Sequence, residues 1–189
     1  VKEWTYQLLL PDYNIVCSPR SYNSQLGVPL SVWQMSDEHN LAIFEAGISE
    51  PGEMERLEKI IQPTIGVLTN IGTAHDEGFV NAAQKLSEKL KLFKNCEILI
   101  TREEEFTVQD LYLQINESPK VVTWGNADKN NFIIESINKQ SISTLITLLY
   151  NTSAISLSIP FTDDASIQNA VTCFCVLVHL QIPLTTIQQ

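Results

Sequence analysis

The chain has 189 residues, 44% of them hydrophobic and 18% charged, and a formal net charge of -10. That profile suits one globular domain with a proper core and excludes a disordered or low-complexity chain. The negative balance argues against sequence-independent nucleic-acid binding, which draws on Lys and Arg to neutralise phosphates. No apolar run approaches the roughly 20 residues that cross a bilayer, so no membrane insertion is expected and the cytoplasm is the expected compartment.

Val1, Trp4 and Leu8 fall on one helical face and the pattern stops at Pro11. The chain thus reads as starting inside a helix, and upstream sequence is expected. Short apolar runs follow at 13–17, 41–46 and 64–70, with helical patterns at 52–61 and 80–93 between the later ones. This alternation predicts a parallel sheet with crossover helices. A strand at 97–101, a helix at 107–115 and a strand at 120–124 continue it. From 131 to 159 the pattern turns β-type with polar turns, which predicts a small antiparallel flap inside a single domain spanning 1–189. Asp164 to Leu180 reads as a largely buried helix stopped by Pro183. Cys17, Cys96, Cys173 and Cys175 show no CxxC spacing and are expected to be buried free thiols.

Ligands of a parallel sheet gather at the carboxyl ends of the strands, so the loops after those runs are searched first. Glu45 ends the otherwise apolar run 41–46 and is followed by Gly47. A carboxylate there is either a ligand for a hard cation such as Mg2+ or a helix cap paired with a nearby Arg. The next strand ends in Asn70, Thr73, His75, Asp76 and Glu77. His75 is either a surface residue or a metal ligand in its neutral form, and Asp76 and Glu77 read as solvated or capping. The 80–93 helix has a buried stripe at Ala82, Leu86, Leu90 and Phe93, which leaves Lys85, Lys89, Lys91 and Lys94 as a solvated cationic face. His39 and His179 read as structural. The chain contains no GxxxxGK[ST] loop and no GxSxG elbow. Unaided, the residues support a metal-assisted, phosphate-handling α/β domain.

Three stretches, SYNSQLGVPLSV, EAGISEPGEMERL and TNIGTAHDEGF, in this order and at these separations, resemble the Mur ligases. The likeness is strongest to the branch that joins D-Ala-D-Ala to UDP-N-acetylmuramoyl-tripeptide in peptidoglycan synthesis. The specific part runs to about residue 94. The resemblance implies a P-loop NTPase-like central domain, with ATP as co-substrate and Mg2+ as cofactor. It implies that a phosphate loop directly precedes Val1, and that a UDP-binding amino-terminal domain and a carboxyl-terminal domain lie outside this chain, which alone would be inactive. It makes Glu45 a magnesium ligand and His75 a ligand of a second metal. Counted from Gly78-Phe79, Lys89 matches the family's carbamylated catalytic lysine, so that Lys89 and His75 carry the catalytic roles. Asn23 matches the first of a paired Asn-Asn near the muramyl peptide, whereas the second position is Ser24. DASIQNAVTCF resembles an adenine-binding element and points to Asn169, with Ala165 and Ser166 standing where the family has His and Asn. The rival readings are a folylpolyglutamate synthase-like ligase, a non-catalytic α/β interaction domain and, last, a metal-dependent hydrolase.

Overall fold

The computed structural model describes residues 1–70, 78–103, 115 and 119–187, and the statements below concern those residues. Helix α1 (Lys2–Leu9) buries Thr5 and Leu9. Leu8 is 44% exposed, so the buried stripe lies one residue away from the expected Val1-Trp4-Leu8 face. Trp4 instead stacks on Phe161 with ring centroids 5.1 Å apart. The Lys2 ammonium, at the amino end of α1, donates to the carbonyl oxygens of Ser18, at 2.6 Å, and Arg20. That contact anchors α1 at the carboxyl end of β1 (Ile15–Cys17).

Strand β1 pairs in parallel with β2 (Leu41–Ile43), Ile15 facing Leu41 and Cys17 facing Ile43. A second sheet holds β3 (Ile65–Leu68), β4 (Ile98–Arg102), β5 (Lys120–Gly125), β6 (Phe132–Lys139), β7 (Thr144–Tyr150) and β8 (Ser153–Ile159), in that spatial order. Pairing is parallel from β3 to β6 and antiparallel from β6 to β8. The antiparallel strands expected over 131–159 are therefore present, but they continue the central sheet. They join it through the pairs Trp124–Phe132 and Gly125–Ile133.

Helices cover both faces. Helices α3 (Glu53–Ile61) and α4 (Ala82–Leu90, extended by a tight turn over Lys91–Phe93) bury Met54, Leu57, Leu86, Leu90 and Phe93 against Leu68 and Leu99. On the other face α5 (Asp164–His179) packs Ile167, Val171, Phe174 and Cys175 against Ile98, Ile100, Val122 and Ile146. Alternate residues of β4 thus enter opposite cores, and so β4 reads as one unbroken apolar run. The helix starts are chemically marked. Asp163 accepts the Ser166 amide at 2.8 Å, and Asn81 accepts the Gln84 amide at 2.8 Å while Gln84 accepts the Val80 amide at 2.7 Å. Cys96, Cys173 and Cys175 are buried free thiols, as expected, whereas Cys17 is half-buried. The expected helix at 107–115 falls almost wholly outside the described residues.

Candidate functional site

Glu45 lies two residues past β2, with its backbone amide donating to the Ser18 hydroxyl at 3.3 Å beside the end of β1. Its carboxylate is exposed and accepts a hydrogen bond from the Asn23 amide nitrogen at 2.8 Å. Asn23 is fixed in turn: its carbonyl oxygen accepts the Gly47 amide at 2.7 Å, and its side chain lies on Gly47. A Cβ at Gly47 would approach the Asn23 amide carbon to 3.1 Å, so the absent side chain makes room for the Asn23–Glu45 bond. Ser24 does different work. Its hydroxyl accepts the Gly27 amide at 3.2 Å and starts the short helix α2 (Gly27–Val32).

The turn after Glu45 is held by another carboxylate. Glu53 accepts from the Ser49 amide at 2.6 Å, the Ser49 hydroxyl at 3.0 Å and the Glu50 amide at 3.1 Å. Burial pushes its pKa up, but these donors outweigh burial and hold it below the usual carboxylate range. Glu88 of α4 accepts the Gly52 amide at 2.8 Å and pairs with Lys91. Burial again opposes, and the Lys91 bond, the Gly52 amide and the Lys91 charge win, so its pKa is also lowered. Glu88 therefore ties α4 to the loop that carries Glu45. A second tie is steric: a Cβ at Gly78 would lie 2.1 Å from the Ser49 carbonyl oxygen. The chain leaving the β3 loop thus rests directly on the chain leaving the β2 loop.

The four lysines of the 80–93 helix separate. Lys85, expected on a solvated face, is only 2% exposed, with its ammonium 6.0 Å from the Phe79 ring centroid. Ala82, expected in the buried stripe, is exposed, while Leu86, Leu90 and Phe93 are buried. Lys94 bridges to Glu58 at 3.2 Å and Lys91 to Glu88. Lys89 is half-buried and donates to the Asn70 carbonyl oxygen at 2.8 Å.

Glu45, Asn70, Lys89 and Asn169 all line one cavity of about 610 Å3 that reaches the carboxyl ends of β2 and β3. Three of the expected site residues therefore line the same cavity, and Asn23 reaches it through Glu45. His75 lies outside the described residues, as do Thr73, Asp76 and Glu77. Among the described residues no three His, Cys, Asp or Glu side chains converge as a metal cluster. His39, expected to be structural, accepts the Ser36 amide through Nδ1 at 3.1 Å. Sequence reasoning missed the Ser18 and Asn70 contacts, because hydroxyls and carbonyl oxygens at strand ends carry no pattern that singles them out.

The family model of the Mur ligase middle domain matches residues 1–177. The chain belongs to the Mur ligase family. A curated relative, the UDP-N-acetylmuramoyl-tripeptide--D-alanyl-D-alanine ligase of Buchnera aphidicola subsp. Acyrthosiphon pisum, is 27% identical over 192 residues, covering 100% of this chain and 42% of the relative. MurF from Acinetobacter baumannii superposes with a TM-score of 0.87 at 22% identity, over 99% of this chain and 41% of that one. MurF ligase from Thermotoga maritima in complex with ADP superposes with a TM-score of 0.83 at 21% identity, over 100% and 44%. At these identities the superpositions speak for the fold. The Mur ligase domain here spans under half the length of the relatives it matches. Among the described residues no helix is long and apolar enough to cross a membrane.

Proposed function

We propose that this Mur ligase domain is the catalytic middle of an enzyme that joins D-Ala-D-Ala to UDP-N-acetylmuramoyl-tripeptide, driven by ATP, in cytoplasmic peptidoglycan synthesis. The observation that carries the reading is the convergence of Glu45 and Lys89 on one cavity at the carboxyl edge, with Asn23 already orienting the Glu45 carboxylate. In the proposed reaction the peptide carboxylate attacks the γ-phosphorus of ATP, ADP leaves and an acyl phosphate forms. The amine of D-Ala-D-Ala then attacks the acyl carbon, gives up a proton and displaces inorganic phosphate.

Both steps gather negative charge in a protein that is itself acidic, so the site must supply positive charge locally. The donor chemistry fits Mg2+, which prefers oxygen ligands and takes one or two carboxylates plus substrate phosphates. Glu45 offers one carboxylate. Lys89 as an ammonium would repel the metal, but its neutral amine adding to carbon dioxide, with release of a proton, yields a carbamate, a second oxygen donor lining the same cavity. His75 is proposed as a further ligand. Magnesium bound there would neutralise charge on the transferring phosphoryl group. Asn169, on α5, is proposed to meet the adenine, and Asn23 and Ser24 to meet the peptide end. The phosphate loop, the UDP-binding domain and the carboxyl-terminal domain are proposed to belong to the rest of the protein, leaving the isolated chain inactive.

The folylpolyglutamate reading loses support because the curated relative matched along the entire chain bears the muramyl-tripeptide ligase name. The test is ligase activity of the full-length protein with UDP-muramyl tripeptide, D-Ala-D-Ala, ATP and magnesium, beside Lys89→Ala with and without a short carboxylic acid. Activity lost on substitution and partly restored by the acid supports the reaction and the carbamate together. An active protein indifferent to Lys89 removes the metal site, and an inactive one favours the folate or non-catalytic readings.

A further inference from the structure

Glu88 stands where a carboxylate costs stability. It lies in the last turn of α4, at the negative end of its own helix dipole, and it is only 7% exposed. An acid in that place needs a partner elsewhere, and the partner belongs to another helix. Its Oε2 accepts the backbone amide of Gly52, the residue that opens α3, at 2.8 Å, while Oε1 pairs with Lys91.

Helix α3 does not supply this cap itself. Gly52 has no side chain and adopts a φ of 88°, a conformation that favours glycine over the residues that usually cap. In a capping box the carboxylate that reaches back to this amide stands three residues further on. That residue is Glu55, which turns to Lys59 instead. Glu88 therefore fills, from a different helix, the place that a helix's own glutamate commonly takes.

The chain positions of the two partners give the bond its reach. Gly52 follows Glu45 by seven residues, and the stretch between them is fixed link by link. Gly47 donates to Asn23, Ile48 is buried, and Ser49 and Glu50 donate to Glu53. Glu88 is the immediate neighbour of Lys89. A second polar tie joins the far ends of the same two segments, where Glu58 meets Lys94 at 3.2 Å and also accepts from Asn95. Between these ties Met54, Leu57, Leu86 and Leu90 share one apolar core, and apolar contact has no direction of its own. The Glu88–Gly52 bond is directional, so it fixes where α4 stands along the loop after β2.

We infer that Glu88 is a positioning residue, an inference that rests on the metal site proposed above: by tying α4 to the loop after β2 it sets the span between Glu45 and Lys89, and with it the grip of those two ligands on a divalent cation. Its own oxygens are taken by Gly52 and Lys91, so it acts through its neighbours.

The experiment titrates manganese(II) into the full-length protein in bicarbonate buffer and reads the free ion by paramagnetic resonance, with urea unfolding of each variant alongside. Glu88→Ala is expected to weaken manganese binding by about tenfold. Glu88→Gln keeps an oxygen that accepts the Gly52 amide and is expected to stay within about threefold of wild type. Glu58→Ala removes an equally buried carboxylate from the far tie, and is expected to lower stability while leaving manganese affinity unchanged. Should Glu88→Ala fail to fold, Glu88→Asp, which keeps the charge but shortens the reach by one methylene, decides by the same criterion. Wild-type affinity in the Glu88 variants overturns the inference, and so does an equal loss in Glu58→Ala, which would assign the effect to general loosening. Binding that Glu45→Gln leaves intact overturns it too, because no metal then spans the two ligands. Ligation is not read, so a protein that holds manganese in this pattern yet fails to join D-Ala-D-Ala loses the ligase reading and keeps this one.

Discussion

The ammonium of Lys89 donates to the carbonyl oxygen of Asn70 at 2.8 Å, a helix side chain closing on the end of a neighbouring strand. As an ammonium Lys89 is a donor only; as a carbamate it keeps one N–H on Nζ and gains two acceptor oxygens. The bond to Asn70 can therefore persist on carbamylation while the new carboxylate turns to the cavity. With isotopically labelled bicarbonate and magnesium, carbon NMR of the full-length protein is expected to show one carbamate signal that disappears in Lys89→Arg. A signal that survives Lys89→Arg would place the carbamate on another lysine.

Asn23 is the side chain that orients Glu45. Groups that orient a metal ligand commonly change metal affinity or activity by about 10–100-fold when removed. Asn23→Ala is expected to raise the magnesium concentration needed for half-maximal ligation by about that factor, with little change in thermal stability because the carboxylate is exposed. An unchanged magnesium requirement would leave Glu45 without a metal role.

Much of this was legible in advance. Strands show as apolar runs and helices as spaced apolar positions, and Glu45 stood out as a charge ending an apolar strand. What escaped was non-local. Which strands pair is decided by tertiary contacts, so the 131–159 segment looked like an appendage until Phe132 was seen beside Trp124. Lys85 read as solvated because periodicity fixes a helix face only to within one position, and a lysine stem packs like an apolar chain. The hydrogen bond from the Gly27 amide to the Ser24 hydroxyl carried no sequence signal either.

Gly78 touches the Ser49 carbonyl so closely that a methyl group would sit 2.1 Å from the oxygen. Gly78→Ala is expected to cost about 1–3 kcal/mol as an overpacking substitution, read by urea unfolding. A loss within experimental error would show that the two loops part freely.

Asn81 caps α4, the helix that carries Lys89. Asn81→Ala is expected to destabilise the domain by about 1 kcal/mol. Asn81→Ser is expected to recover most of that loss, since Ser also caps well. Failure of Ser to recover it would assign the loss to something other than the cap.

Glu53 has a folded pKa below its unfolded value, so it binds fewer protons folded than unfolded in the window between the two. Its contribution to stability is fully present above about 4.3, the ordinary Glu value, and is lost as pH falls through the lowered folded value. Glu53→Gln is expected to lower stability at neutral pH, with the gap to wild type closing as the solution is acidified below that value. A constant gap down to strong acid would mean that shape, rather than charge, is what Glu53 supplies.

The strand order also sorts the domain by tolerance to change. The ligand-bearing loops follow β2 and β3, whereas β6, β7 and β8 extend the sheet away from them. Their two hairpin tips, at 140–143 and at Asn151-Thr152, where both residues adopt positive φ, lie beyond the last paired residues. Extra sequence spliced into either tip would hang from the sheet's far margin, which makes these tips the natural insertion points for tags, reporters or partner modules.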